Sequence, residues 1–331
     1  MPKPKIFITR AIAPEAIAKL TEVADVEVWP HEMPPPREVL LEHIKTSFGI
    51  ITLLTDPIDA SLIAAASQNL RVIAQMAVGF DNIDVTAASN RGIYIGHTPG
   101  VLTETTADFA WALMMAVGRR VVEGHHEVQQ GIWRPWGPNV LTGQDIFGAR
   151  LGLVGLGRIG QAVARRAIGF NMDILYHDLQ RFPEAEKATG AQFVAFEELL
   201  ERSDYVSLHT FMSPQNKFMM GQSEFACMKP NAIFINTARG GLVDPGALLW
   251  ALQNRRIAGA GLDVFETEPI PMDHPLLKEP NLVMTPHIAS ASKQTRTRMA
   301  LMAAENVLAA ISGNRIPYCV NPEADSFSKG K

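Results

Sequence analysis

Short runs rich in β-branched and large apolar residues recur through the first hundred positions: Lys5-Ile6-Phe7-Ile8, Val26-Glu27-Val28-Trp29, Gly49-Ile50-Ile51-Thr52-Leu53-Leu54, Arg71-Val72-Ile73-Ala74 and Ile93-Tyr94-Ile95. Helix-patterned stretches separate them, as at Ala60 to Ala66, where Asp59 is placed to cap the first turn. Strand and helix in alternation predict a parallel sheet with helices packed on it. From Thr103 to Arg120 the pattern becomes one long Ala-, Met- and Leu-rich helix, read as a bridge into a second domain. The segment Gly131-Ile132-Trp133-Arg134-Pro135-Trp136-Gly137-Pro138 follows, and its prolines exclude regular helix or central strand. An ordered loop or arm is expected there.

A second α/β series starts at Arg150 and continues through Asp173 to His177, Tyr205 to His209, Ala232 to Asn236, Ala260 to Val264 and Val283 to Thr285. A helical pattern from about Lys293 to Ile311 then leads to the tail Cys319-Val320-Asn321-Pro322, which can return to the first domain. The expected architecture is α/β with two doubly wound parallel-sheet domains, one flavodoxin-like and one a Rossmann domain. The first is assigned to 1–100 with 290–331 and the second to 101–289. A length of 331 residues, beyond the size at which one core usually stops growing, agrees with two domains.

Charge and cysteine content narrow the function classes. With 30 Lys and Arg against 34 Asp and Glu, no basic field exists to hold a polyanion, so nucleic acid is not an expected partner. Cys227 and Cys319 form neither a metal-ligand spacing nor a disulfide framework, and no apolar run reaches the ~20 residues that span a bilayer. A cytoplasmic protein without membrane contact or metal is expected. His31, His125, His126 and His274 are read as solvated.

Leu151-Gly152-Leu153-Val154 reads as a buried strand that runs straight into Gly155-Leu156-Gly157-Arg158-Ile159-Gly160, which opens a helix. In such a strand, turn and helix, the first glycine makes the tight turn, the second lets backbone approach a pyrophosphate, and the third permits close packing. Asp178, at the end of the next strand, stands where an acid would meet a ribose hydroxyl. A nicotinamide dinucleotide is the expected cofactor, NADH preferred and NADPH possible. Asp178 repels a 2′-phosphate, although Arg181 is near enough in sequence to turn toward one.

Taken with Ala77-Val78-Gly79-Phe80-Asp81-Asn82, Thr98-Pro99-Gly100-Val101-Leu102-Thr103, Asn236-Thr237-Ala238-Arg239-Gly240, Gly261 through Pro269 and Pro286-His287-Ile288-Ala289-Ser290, this loop resembles the D-isomer-specific 2-hydroxyacid dehydrogenases. Within them the chain is most similar to the glyoxylate/hydroxypyruvate reductases. The resemblance covers nearly the whole chain. It implies that Arg239 holds the substrate, that Glu268 and not Glu266 pairs with histidine, and that His287 donates the proton. It also implies cofactor contacts from Thr106, Thr237, Ala238, Asp263 and Ala289, and a homodimer built on the Trp133 and Trp136 arm. The chain departs from the family's pattern in carrying Phe211-Met212 where Pro-Leu is common and Ala289 where Gly is common.

These residue types suit the chemistry. Reduction of a 2-keto acid needs a proton for the carbonyl oxygen and a cation to hold the carboxylate, and the rigid guanidinium fork of Arg239 supplies the second. An ionised Glu268 hydrogen-bonded to His287 would favour imidazolium, the form that can give a proton. The glycine of Ala77-Val78-Gly79 lets backbone N–H groups face a small anion, so Val78 and Gly79 are expected to bind the substrate carboxylate, with the active site in an interdomain cleft. Two alternatives remain at this stage. One is a 2-keto-D-gluconate reductase, which Gly169-Phe170-Asn171-Met172 and the Cys319 to Pro322 tail also resemble; the other is an NAD-sensing corepressor-like binding protein, since such proteins share the fold.

Overall fold

The computed structural model describes residues 2–324. Five strands, β1 (Lys5–Ile8), β2 (Asp25–Val28), β3 (Gly49–Thr52), β4 (Val72–Gln75) and β5 (Tyr94–Gly96), pair in parallel in the order β2-β1-β3-β4-β5. That is the flavodoxin-like order, with its reversal between β1 and β3. Every residue of β3 and β4 is buried, because helices cover both faces. The helix Lys293–Ile311 is one of them: Ala300, Ala303 and Ala304 are fully buried and let it lie close over β4. Beyond it the tail runs along the outer edge of β5, where the Val320 N–H donates to the Ile95 carbonyl at 2.8 Å and Asn321 Oδ1 accepts from the Ile95 N–H at 2.7 Å. An edge strand that would otherwise offer unpaired backbone groups is thereby closed.

These elements form one compact unit, from residues up to Leu102 together with those from Ala291 onward; Thr103–Ser290 form the other. Of the segment 290–331 expected with the first domain, residues 325–331 lie outside the described residues.

The second unit holds β6 (Arg150–Val154), β7 (Asp173–His177), β8 (Gln192–Phe193), β9 (Tyr205–Leu208), β10 (Ile233–Asn236), β11 (Gly259–Leu262) and β12 (Leu282–Met284). Their order, β12-β11-β10-β9-β6-β7-β8, is that of a Rossmann sheet with one further strand, all parallel. Side chains alternate between two cores: Val206 and Phe234 pack on one face, Tyr205, Ile233 and Ile235 on the other. Full burial of a side chain such as Phe234 contributes about 1.5–3 kcal/mol.

One local expectation is corrected. The helix Thr103–Gly118 stops before Arg120, whose φ of 53° breaks it, and a separate helix Val121–Gln129 begins. That second helix buries no residue, so it carries no apolar stripe for a sequence pattern to show. The sequence reading also leaves out the edge strand β8, two exposed residues paired with β7 and too short to show a strand period.

Candidate active site

The sheet order of the second unit reverses between β6 and β9, and the glycine turn lies at that point, at the carboxyl end of β6. Gly155 has φ 98°, and a Cβ there would stand 2.7 Å from the His209 carbonyl, so both conformation and space demand glycine. A Cβ on Gly160 would meet the Gly155 oxygen at 2.2 Å, whereas one on Gly157 would meet nothing within 4 Å. The turn is therefore packed from behind and open in front. Helix Arg158–Ile168 begins here, and its first N–H groups have no intrahelical acceptor. Asp178, just past β7, accepts from the Leu156 N–H through Oδ2 at 2.8 Å and from the Leu179 N–H through Oδ1 at 2.7 Å, which ties its carboxylate to the turn.

Arg181 is not idle beside it. Its Nε and Nη2 donate to Glu186 at 3.0 and 2.6 Å, and the same carboxylate accepts the Tyr176 hydroxyl at 2.5 Å. These two partners hold the Glu186 carboxyl below its usual range, so the guanidinium is matched by a full negative charge.

Arg239 follows β10. The fully buried Asn236 shapes this stretch by accepting from the Ala238 N–H at 2.9 Å and donating to the Arg239 carbonyl at 2.8 Å. Gly240 comes next because the backbone of Phe265 crosses it: a Cβ would fall 1.8 Å from the Phe265 carbonyl carbon. This crossing brings the segment after β11 against the segment after β10, and with it Glu268. The charge of Arg239 in turn acts on the Glu268 carboxyl. Thr237 is buried, and its Oγ1 has no hydrogen-bond partner.

Glu268 Oε2 and His287 Nδ1 are 2.7 Å apart, with the two side chains 30% and 29% exposed, so the pair is reachable from solvent. Glu268 Oε1 accepts from the Phe265 N–H at 2.9 Å. Burial pushes the Glu268 carboxyl up, but the bond and charge of His287, the Phe265 N–H and Arg239 together outweigh it and leave the group below the usual carboxylate range. Glu266 instead faces Lys217 at 3.3 Å. Because Nδ1 is engaged by Glu268, Nε2 is the ring nitrogen left for another partner.

His287 has φ 54°, a left-handed conformation that costs energy in a residue with a Cβ. The restraint that maintains it comes from Asp263, fully buried at the end of β11. Its Oδ1 accepts from Thr285 Oγ1 at 2.7 Å and the Ile288 N–H at 2.8 Å, its Oδ2 from the Ala289 N–H at 2.7 Å, and its carbonyl from the His287 N–H at 2.9 Å. Sequence alone does not single out Thr285, since a lone threonine at a strand end carries no signal. It does not single out His209 either; desolvation pushes that imidazole down to about 4, and Nε2 lies 2.9 Å from Ser207 Oγ, so it stays neutral behind the glycine turn. Thr106 is buried in helix Thr103–Gly118, which packs on helix Arg158–Ile168.

In the first unit, Val78 and Gly79 form a turn immediately beyond β4, half-buried at the carboxyl end of its sheet. Among the described residues no group of three or more His, Cys, Asp or Glu could hold a metal, and no helix is long and apolar enough to cross a membrane. A cavity of about 730 Å³ in the second unit opens at the amino ends of β10 to β12, lined by Val117, Arg120, Asn281 and Val283 among others. It lies at the amino ends of these strands, whereas Glu268 and His287 follow the carboxyl ends of β11 and β12.

Residues 111–289 match the D-isomer specific 2-hydroxyacid dehydrogenase, NAD binding domain. The chain belongs to this family. A glyoxylate reductase of Korarchaeum cryptofilum is 52% identical over 322 residues, covering 97% of each chain. A Thermus thermophilus protein of known structure superposes with a TM-score of 0.90 at 44% identity, covering 96% of this chain and 99% of that one. An NADPH-dependent glyoxylate/hydroxypyruvate reductase from Sinorhizobium meliloti, solved with NADP and malonate, gives 0.85 at 31% identity and covers 97% and 98%. For this member of the dehydrogenase family the nicotinamide cofactor fits what the second unit offers: an open glycine turn, a helix amino end and the orphaned Thr237 hydroxyl.

Proposed function

We propose that this protein reduces the keto group of a small 2-keto acid, glyoxylate or hydroxypyruvate, to the 2-hydroxy acid, of D configuration where that carbon is chiral. The observation that carries the reading is the Glu268 to His287 hydrogen bond of 2.7 Å, which leaves Nε2 as the proton donor to the developing alkoxide. Arg239 holds the carboxylate and polarises the adjacent carbonyl, and the N–H groups of Val78 and Gly79 are assigned to the same carboxylate. A bound reduced nicotinamide supplies the hydride. The glycine turn from Gly155 to Gly160 holds its pyrophosphate, with Leu156, Arg158 and Ile159 contributing backbone or side-chain contacts. Thr106 is assigned to the same phosphates, and Thr237, Ala238, Asp263 and Ala289 to the nicotinamide end.

NADH is the preferred cofactor in this reading. Asp178 disfavours a 2′-phosphate, and Arg181 can reach one only by giving up Glu186. A homodimer is proposed on the arm, where Trp133 and Trp136 are 74% and 88% exposed, since aromatic side chains of this kind are enriched at interfaces between proteins. Sedimentation at working concentrations should give twice the chain mass; a monomer would contradict it. The reduction itself is tested by glyoxylate-dependent oxidation of NADH. Cofactor binding without turnover on glyoxylate, hydroxypyruvate or 2-keto-D-gluconate would instead support a sensor.

A further inference from the structure

The turn that follows β4 is held through its carbonyls. The Ala77 carbonyl accepts from the Thr98 N–H at 2.8 Å, the Val78 carbonyl faces His97 Nδ1 at 3.0 Å, and the Gly79 carbonyl faces Gln75 Nε2 at 3.4 Å. Three consecutive carbonyls are thus drawn back toward the unit's interior. Among the described residues of this unit neither the Val78 nor the Gly79 N–H donates a hydrogen bond. A carbonyl accepts and cannot donate, so His97 must carry its proton on Nδ1. Thr98 is fully buried and its hydroxyl has no partner among the described residues, so polar capacity is left over beside the same turn.

The orientation of Gln75 follows from its neighbours. Asn82 Nδ2 donates to the carbonyls of Leu53 and Asp56 at 3.1 and 2.8 Å, which turns Asn82 Oδ1 toward Gln75. Gln75 must answer with Nε2, at 2.7 Å, leaving Oε1 to accept from Thr52 Oγ1 at 2.7 Å. Thr52 and Gln75 are direct partners across β3 and β4, so the sheet itself fixes this chain of bonds. Gln75 is fully buried, where each of these groups would be costly to leave unpaired.

We infer that His97 and Gln75 are positioning residues for the 2-keto acid: by pinning the carbonyls of Val78 and Gly79 they preorganise two N–H donors for the substrate carboxylate. The inference rests on the reading that this turn receives that carboxylate. Neither side chain touches substrate, and both act through the backbone. A preformed anion site binds ground state and transition state alike, so its loosening raises KM while sparing kcat.

The test compares His97→Phe, which keeps an aromatic ring beside Phe80 but removes the donor, with His97→Asn, which restores one. His97→Phe should raise the KM for glyoxylate, and the inhibition constant of oxalate, roughly fivefold to tenfold, the equivalent of one hydrogen bond. NADH affinity, read by fluorescence, should stay at the parent value, and His97→Asn should recover most of the loss. Gln75→Met should give the same KM-selective defect, and serves if the Phe variant fails to fold. Unchanged KM and oxalate inhibition in a folded, active His97→Phe, or equal impairment by Asn and Phe, would overturn the inference. A parent protein that does not turn over glyoxylate would overturn the proposed function instead.

Discussion

Replacing Asp263 by Asn keeps the shape of the side chain and removes its charge and one of its acceptor atoms. Asp263 Oδ1 receives Thr285 Oγ1 and the Ile288 N–H, and Oδ2 receives the Ala289 N–H, all within 2.8 Å and fully buried. An amide oxygen can serve the first two, but its NH₂ group then opposes the Ala289 N–H. Loss of a bond to a charged acceptor is worth about 1.5–3 kcal/mol, and a buried donor left unsatisfied costs about 1–3 kcal/mol. The two terms overlap, so a destabilisation of about 2–4 kcal/mol is expected. At roughly 2–4 °C per kcal/mol, Tm should fall by about 4–16 °C in calorimetry. The same loop holds His287 at φ 54°, and once loosened it can relax away from that conformation, so kcat with glyoxylate should fall at least about tenfold. Thr285→Val, which removes only the hydroxyl that Asp263 Oδ1 shares with the Leu262 carbonyl, should cost about 1.5–3 kcal/mol and leave the two backbone N–H bonds of the carboxylate in place. A Tm within about 1 °C of the parent with unchanged kcat would refute this reasoning. Lost NADH affinity at parental Tm would mean that Asp263 acts on the cofactor and not on the loop.

Glu268→Gln should lower kcat for glyoxylate, because the carboxylate that holds His287 Nδ1 at 2.7 Å is replaced by a weaker, neutral partner; unchanged steady-state kinetics would rule out the pairing. The same group contributes to acid stability. Its folded carboxyl lies below the ordinary range, so its stabilisation is present above the unfolded pKa and is lost as pH falls through the lowered value. Glu268→Gln should therefore flatten the acid limb of Tm against pH below about 4.5. Asp178→Ser should narrow the preference for NADH by at least about tenfold in kcat/KM, since one unfavourable charge near the 2′ position is removed. Equal use of NADPH by the parent would show that Arg181 leaves Glu186 readily.

The fold was legible because both sheets are covered on both faces, so the strands read as continuous apolar runs, and because Gly155 to Gly160 stands between a strand and a helix. Helix Lys293–Ile311 was legible for a similar reason, its packed face being spaced at helical period. The helix Val121–Gln129 and the edge strand β8 were not, since neither buries a residue. At the site, sequence order could place Arg239, Glu268 and His287 at strand ends, but not the crossing of Phe265 over Gly240 that brings two of those ends together. Nor could it reveal that Asp263 restrains the His287 loop or that Arg181 is engaged by Glu186. Those are side-chain partnerships across more than one turn of chain, and no periodicity encodes them.

Everything proposed for the chemistry turns on His287, held by Glu268, giving the proton in reduction of a small 2-keto acid. The decisive comparison is the turnover of glyoxylate with NADH by the parent and by His287→Ala, alongside NADH binding to both. The parent should oxidise NADH only when glyoxylate is present, and His287→Ala should lose about 10²- to 10⁴-fold in kcat with NADH affinity nearly intact. Turnover by His287→Ala within a few-fold of the parent would contradict that role.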